Sequence, residues 1–368
     1  MTAKYKETEY KFDSNYLKKT LSKEIQGDIR FDKITREIYS TDASIYKIMP
    51  ICVAIPKTAE DIKSIIQIAW EQRIPILPRG GGSSLSGQTV NEAIVIDFSK
   101  HLNKINNIDV SSQKAIVEPG ITIDQLNYQL KSHNLFFTPD PSTSNRATVG
   151  GVIGNNSCGS HSVIYGKTID HILKLNTVLS DGTNCVFEPI KHSELDLKLT
   201  SNSLESQIYI KSLNLYRNYK DEVKLRFPKI LRRVGGYNLD TVSSKDYFDI
   251  TKLIVGSEGT LTTILEAEIN LETIPKNKGL LVLEFDDLMK SMEAITLTLE
   301  ANPSSVEHIG QLILKEARGS TGFSSGIDFL SGEPHDLLII EFDGNSIKEV
   351  EFKLKQLKKN IDKSKLPY

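Results

Sequence analysis

Residues 78–88 read Pro78-Arg79-Gly80-Gly81-Gly82-Ser83-Ser84-Leu85-Ser86-Gly87-Gln88. Consecutive glycines let the backbone take φ > 0 and approach a ligand closely. Successive N–H groups in such a turn form a positively polarised nest, which suits a phosphate. Ser83, Ser84 and Ser86 add hydroxyl donors, and Arg79 adds positive charge. A hairpin turn is the plain alternative, but it needs about two special residues, not three glycines and three serines. No Gly-Lys-Ser/Thr follows, and position 85 is Leu where a dinucleotide fingerprint needs its third glycine. The phosphate would therefore sit on a loop between strands, not on a helix N-terminus.

Two further stretches carry ligand chemistry. One joins Pro139-Asp140-Pro141-Ser142-Thr143, Thr148-Val149-Gly150-Gly151 and Asn155-Asn156-Ser157-Cys158-Gly159. Prolines stiffen a loop, paired glycines let backbone approach a flat ring, and Asn and Ser supply polar contacts. A planar heterocycle such as a flavin needs that combination. The other is Val255-Gly256-Ser257-Glu258-Gly259-Thr260-Leu261, where Glu258 reads as a carboxylate capping a turn or, less simply, as a catalytic group. Cys158 reads as a small apolar residue, because no resolving Cys or activating base is near it in sequence.

The elements that would position these loops follow from pattern. Residues 1–39 are charged with scattered apolar positions and predict a helical extension. Cys52–Ile55 predicts a strand. Thr58 caps a helix whose Ile62, Ile65, Ile66 and Ala69 share one face. Ile74 to Leu77 is the strand that delivers the glycine loop, and Ala93 to Asp97 the next strand. Lys114 to Glu118 is a strand and Thr122 caps a helix bearing Leu126 and Leu130. His171 to Leu179 and Asn184 to Phe187 form a hairpin across Asp181-Gly182. Leu253 to Val255 and Leu261 to Leu271 predict strands. After Pro275 the pattern restarts as strand–helix three times over, which predicts a separate α+β domain.

Length and composition set bounds. A chain of 368 residues has ample core for two domains, and its net charge of -2 gives no case for nucleic acid or an anionic membrane. The cysteines Cys52, Cys158 and Cys185 lie far apart without CxxC pairing, so no metal framework is expected. No apolar run approaches the roughly 18 residues of a transmembrane span. The compartment expected is the cytoplasm, free or peripheral to the inner membrane.

The Arg-Gly-Gly-Gly-x-x-Leu-x-Gly-Gln stretch resembles the pyrophosphate loop of the flavoprotein fold shared by vanillyl-alcohol oxidase and para-cresol methylhydroxylase (PCMH-type). Within that fold the chain looks most like the D-lactate, glycolate and D-2-hydroxyglutarate dehydrogenases. Pro-Asp-Pro-Ser, Gly-Gly-x-x-x-x-Asn-x-x-Gly, Tyr165-Gly166 and Gly235-Gly236-Tyr237-Asn238-Leu239 continue the match. The resemblance implies FAD, with Pro78 to Ser84, Gly87, Gln88, Pro139, Asp140, Ser142, Thr148, Gly150, Gly151, Asn155, Ser157, Cys158, Gly159, Tyr165, Gly166, Glu258, Gly259 and Leu261 around it. Ser83 stands where covalent members carry a flavin-linking His, so noncovalent FAD is expected. Tyr237 and Asn238 would line the substrate side, and Arg232 and Arg233 would attract an anion. Glu307-His308-Ile309-Gly310 departs from the family's Glu-Leu-Met-Asp. Arg318 falls where relatives carry an arginine that clamps the substrate carboxylate, which a guanidinium grips bidentately.

The fold expected is α+β: a two-lobed PCMH-type FAD-binding domain at 40–272, then a partial substrate (cap) domain at 277–368. The activity implied is oxidation of a small anionic D-2-hydroxy acid by hydride transfer to the flavin. Electrons would pass on to a quinone, an iron–sulfur domain or an acceptor protein. Relatives carry a His-x-His-type cluster further on, so the catalytic base is expected beyond Tyr368 and no metal ligands are expected here. The alternatives are a non-catalytic or partner-dependent FAD-binding subunit, and a cell-wall reductase or sugar oxidase on the same fold.

Overall fold

The computed structural model describes residues 13–320, 322, 324–330, 332–364, 366 and 368. The first twelve positions of the expected N-terminal extension lie outside the described residues. The chain divides into two compact units. One takes in Met1–Phe137, Pro141–Ser157 and Thr168–Glu272, the other Thr138–Asp140, Cys158–Lys167 and Thr273–Tyr368.

The first unit holds two main sheets. In the four-stranded sheet, Cys52–Ile55 and Ile76–Arg79 both run parallel to Ile94–Asp97 between them, and Asp28–Arg30 closes the far edge antiparallel to Cys52–Ile55. The helix Ala59–Gln72 makes the crossover. Thr58 accepts from the Asp61 N–H at its start, Arg73 ends it in the left-handed region, and Ile62, Ile65, Ile66, Ile68 and Ala69 face the sheet. Asp61 is buried at the same turn because its carboxylate accepts from the N–H groups of Gln26, Gly27 and Lys57 at 2.9, 3.0 and 2.8 Å. That is how a buried charge is tolerated. It ties the segment before the sheet to the helix. Residues 13–39 are therefore more than a helical extension. Leu17 and Leu21 of the helix Ser14–Glu24 pack into this core, and Asp28–Arg30 is a strand of the sheet.

The five-stranded sheet is antiparallel, in the order Ile105–Asp109, Lys114–Val117, Thr263–Asn270, Ile172–Val178, Asn184–Phe187. Thr263–Asn270 alternates buried and half-buried along its length, the period-2 signature of a strand with one core face. Helix Ile123–Leu130 starts with a reciprocal capping box between Thr122 and Gln125 and buries Ile123, Leu126 and Leu130. The run Leu253 to Val255 is not a strand. It belongs to a helical turn, Thr251–Ile254, because the Asp249 carboxylate accepts from both the N–H and the hydroxyl of Thr251 at 2.9 and 2.6 Å. That local bond starts a helix despite the β-forming composition.

The second unit carries a three-stranded antiparallel sheet ordered Asn277–Phe285, Asp336–Gly344, Ser305–Ile309. Helices Leu288–Glu300, Gln311–Gly319 and Ile347–Ser364 alternate with its strands. Leu283, Phe285, Ala294, Leu338, Ile340, Phe342, Val350, Leu357 and Ile361 form its core. Gly279 lets the last helix lie close, since a Cβ there would come within 2.5 Å of a Val350 methyl.

Candidate functional site

The strand Ile76–Arg79 delivers the glycine loop at its C-terminal end. A Cβ on Gly80 would lie 2.4 Å from Thr148 Oγ1, and one on Gly81 would lie 2.2 Å from the carbonyl oxygen of Arg146. Gly82 and Gly87 take φ of +63° and +78°. The loop is thus held against Arg146–Thr148 with no room for side chains. Close approach to a ligand and φ > 0 were the reasons expected for glycine here. The structure gives a nearer cause, the Arg146 backbone.

Three motifs distant in sequence meet here. Thr148 caps the helix Val149–Asn155 by accepting from Gly151 N–H, and Gly150 N–H donates to Pro119 O at 2.8 Å. Gly256 N–H and Glu258 N–H donate to the carbonyls of Ile153 and Gly154 at 2.9 and 2.8 Å, at the end of the same helix. Glu258 sits at φ +53° and accepts from Gln88 Nε2 at 3.1 Å. Gln88 Oε1 in turn accepts from Ser84 Oγ and from Ser86 N–H. Glu258 therefore bonds to the glycine loop as a turn carboxylate. Gly259, at φ +75°, packs on Pro78. Asn155 and Ser157 bond to one another at 3.0 Å, Ser142 is exposed, and Leu261 is 44 % exposed.

These residues fit a dinucleotide cofactor. The loop's glycines lie against Arg146–Thr148 and carry no side chains to screen their N–H groups, and Ser83 and Ser84 are only half-buried on it. Beside it, Ser257 Oγ and Asn156 Nδ2 are buried and make no hydrogen bond among the described residues. Such buried polar atoms call for a partner.

Three assigned side chains are differently engaged. Arg79 does not project as a free charge. Its guanidinium donates to the carbonyls of Tyr39, Thr89 and Thr41 at 3.0, 3.1 and 2.8 Å, and lies 5.2 Å from the centre of the Tyr39 ring. Asn238 is 1 % exposed and its amide donates to Val255 O at 2.8 Å, so it braces a turn and lines no surface. Arg233 pairs with Asp240 and stacks on Phe227. Tyr237 keeps an exposed ring, with its hydroxyl 2.8 Å from Thr260 Oγ1. Arg318, in the last turn of Gln311–Gly319, donates to Gly332 O at 3.4 Å.

The remaining motif residues belong to the second unit, where they surround a group that sequence reasoning missed. His161 Nδ1 is 2.6 Å from Asp140 Oδ2, and its Nε2 is 2.9 Å from Glu341 Oε1. These two carboxylates, Asp140 first, raise the imidazole pKa to about 9. Hydrogen bonds from His161 and then Lys278 hold Glu341 down at about 2. Lys278 Nζ lies 2.7 Å from the same oxygen of Glu341. Gly159 must be glycine, since a Cβ would lie 2.0 Å from Asp140 O. Pro139 is buried, Cys158 is half-buried, and Gly166 ends the helix Ser162–Tyr165 at φ +79°. A second histidine–carboxyl group holds the buried Asp336, whose oxygens lie 2.8 Å from His308 Nε2 and 2.5 Å from His335 Nδ1. A histidine two positions past Cys-Gly was the one available signal for His161; nothing in the sequence points to Glu341 as its partner.

Comparison with known proteins agrees with this geometry. Residues 50–187 match the family model described as FAD binding domain. The chain is 34% identical over 345 residues to D-2-hydroxyglutarate dehydrogenase of Pantoea ananatis, covering 91% of this chain and 34% of the relative. Against the enzyme of that name from Escherichia coli K12 the figures are 32% over 357 residues, 95% and 35%. The glycolate oxidase subunit GlcD of Bacillus subtilis is 30% identical over 330 residues, covering 87% of this chain and 58% of that protein. The chain thus spans about a third of the length of the dehydrogenases it matches. A solved structure of alkyldihydroxyacetonephosphate synthase superposes with a TM-score of 0.67 at 20% identity, over 97% of this chain and 61% of that one. That likeness establishes the α+β, PCMH-type fold. Residues 50–187 are accordingly those of an FAD binding domain, and the chain as a whole is similar to the D-2-hydroxyglutarate dehydrogenases.

Proposed function

We propose that this chain serves the FAD-dependent oxidation of a D-2-hydroxy acid, with D-2-hydroxyglutarate as the first candidate. The observation that carries the proposal is the cradle at Gly80–Gly82, closed by Thr148 and linked through Gln88 to Glu258. Backbone N–H groups of the loop and the hydroxyl of Ser83 would receive the diphosphate. Ser257 and Asn156 offer buried polar atoms beside it. When bound, FAD would supply an acceptor for a hydride, which carries both electrons of the oxidation. The substrate class rests on four dehydrogenases of that name, at 32–34% identity. Arg318 is the proposed carboxylate ligand, because its hydrogen bond to Gly332 O, at 3.4 Å, is long and a guanidinium carries further donors for a bidentate grip. In this proposal residues 40–272 act as the FAD-binding domain and 277–368 as part of a substrate domain.

The test is anaerobic mixing of the FAD-reconstituted protein with D-2-hydroxyglutarate, D-lactate and glycolate, following oxidised-flavin absorbance. Slow bleaching, fastest with D-2-hydroxyglutarate, is expected, since none of the residues assigned above is a general base. Equal bleaching by the L-enantiomer, or none by any of the three acids, would remove the assignment. A partner-dependent subunit is the second reading, favoured by relatives that are named subunits. It predicts bleaching only after a partner polypeptide is restored.

A further inference from the structure

Arg79 sits at the foot of the glycine loop, where a cation would be expected to meet a phosphate. Its surroundings argue for another role. Three N–H donors are committed to carbonyls from two different segments, Tyr39 and Thr41 on one and Thr89 on the other. The guanidinium lies over the Tyr39 ring, and the Tyr39 hydroxyl donates to Asp97 Oδ2. Asp97 and Asp42 stand close enough to offset its charge. Asp42 is itself fixed, accepting from Thr89 Oγ1 at 2.9 Å and Ser44 N–H at 2.8 Å. Gly82 packs against the guanidinium so tightly that a Cβ would come within 2.7 Å of Nη2. Gly82 O then accepts from Ala43 N–H at 3.0 Å, which closes the 39–43 segment over the loop.

We infer that Arg79 is a positioning residue and not a phosphate ligand: it clamps residues 39–43 and Thr89 onto the glycine loop and fixes Gly82 in its left-handed conformation. The phosphates are then met by neutral donors, the loop N–H groups and serine hydroxyls. This rests on the reading that the loop receives the FAD diphosphate. Geometry makes lysine a poor replacement. A single ammonium cannot reach three carbonyls set around a planar fork, nor stack on Tyr39 in the same way. At a phosphate-binding position, by contrast, lysine would serve well as a point charge.

The test compares Arg79→Lys and Arg79→Ala with the unaltered protein in two measurements. Hydrogen exchange on the FAD-free protein reads the clamp directly. Arg79→Lys should lose protection at the Ala43 amide while the strand Thr263–Asn270 keeps its own. FAD titration at several salt concentrations reads the consequence. Both variants should bind FAD roughly 10- to 100-fold more weakly, as expected for losing hydrogen bonds to a charged group, with an unchanged salt slope. Unchanged Ala43 protection in Arg79→Lys overturns the inference, whatever FAD does. So does an Arg79→Lys that binds FAD as the unaltered protein does while Arg79→Ala is weak and less salt-dependent. Lost Ala43 protection with FAD affinity intact instead overturns the glycine-loop reading on which the inference stands.

Discussion

The glycine-loop region of the first unit and the histidine group of the second solve the same problem by opposite means. Each must hold a loop in one shape. The glycine loop is held by close backbone approach and by neutral donors: Gly81 against Arg146 O, Gly82 O to Ala43 N–H, Gln88 to Glu258. Its one cation, Arg79, faces carbonyls on the protein side. The loop 158–167 is held instead by ionised groups, with the His161 cation between Asp140 and Glu341 and Lys278 behind. Dipoles suit a place that must receive an anionic ligand, because they carry no counter-charge of their own to be displaced. Ion pairs suit a place whose loop is tied to a sheet, but they make that tie depend on pH. Steric demands should therefore dominate mutations in the first region, and protonation should dominate in the second.

The first prediction breaks the steric side. Gly81→Val would drive a branched side chain into the Arg146 carbonyl, where a Cβ alone is already at 2.2 Å. Overpacking of this kind costs about 1–3 kcal/mol. The denaturation midpoint should fall, and FAD binding with it. A variant with the parental midpoint and full flavin would remove the tight-loop account. The bond to FAD itself is expected to be noncovalent, since Ser83 offers no histidine for linkage. After denaturation and desalting, all the flavin should separate from the polypeptide; flavin travelling with the chain would refute this.

The second prediction tests the ionic side. His161→Gln leaves Asp140 without its cation and Glu341 with Lys278 alone, a loss of about 1–3 kcal/mol for groups that are half-buried. The pH dependence has a definite sign. The folded pKa of His161 is raised to about 9 from an ordinary 6.5, so its contribution is complete below 6.5 and is lost as pH rises through 9. Glu341, held near 2 from an ordinary 4.5, contributes above 4.5 and loses this as pH falls through 2. The stability gap between the unaltered protein and His161→Gln should thus shrink between pH 7 and pH 10. A gap constant over that range would show that His161 acts by packing. An NMR titration of the His161 imidazole should give its midpoint near 9, and a midpoint near 6.5 would sink the ionic account.

How much of this was readable beforehand divides along the same line. Local signals were legible because they act within a few residues: the Thr58 and Thr122 caps, the Asp181-Gly182 hairpin, and the glycine run at 80–82. The strand–helix alternation after Pro275 also held, since each strand there follows its own apolar pattern. Long-range pairings were not legible. Asp140, His161 and Glu341 are joined by folding alone, and no spacing rule connects them. Asp28–Arg30 is a three-residue edge strand, too short for a period. The surroundings of Arg79 were not legible because residue type announces charge, while the carbonyls it meets come from residues 39, 41 and 89. At 253–255, Asp249 outweighed an apolar run that reads as a strand.

The smallest effect expected separates two neighbours once assigned the same role. Asn238 and Tyr237 were both expected to line the substrate side. Asn238 is buried, with its amide spent on Val255 O, so Asn238→Ala strands a buried carbonyl and should cost about 1–3 kcal/mol. Tyr237 is 48 % exposed, and Tyr237→Phe removes only the hydroxyl that meets Thr260. Water can replace that partner, so the loss should stay below about 1 kcal/mol. Thr260 keeps its own bond to Ser257 O at 2.6 Å, so the Gly-Ser-Glu-Gly turn should not shift. Chemical denaturation of the two variants gives the order directly, and FAD affinity should be unchanged in Tyr237→Phe. A tenfold loss of flavin in that variant would move the Tyr237 hydroxyl to the cofactor, and the neutral-donor set around the glycine loop would then include it.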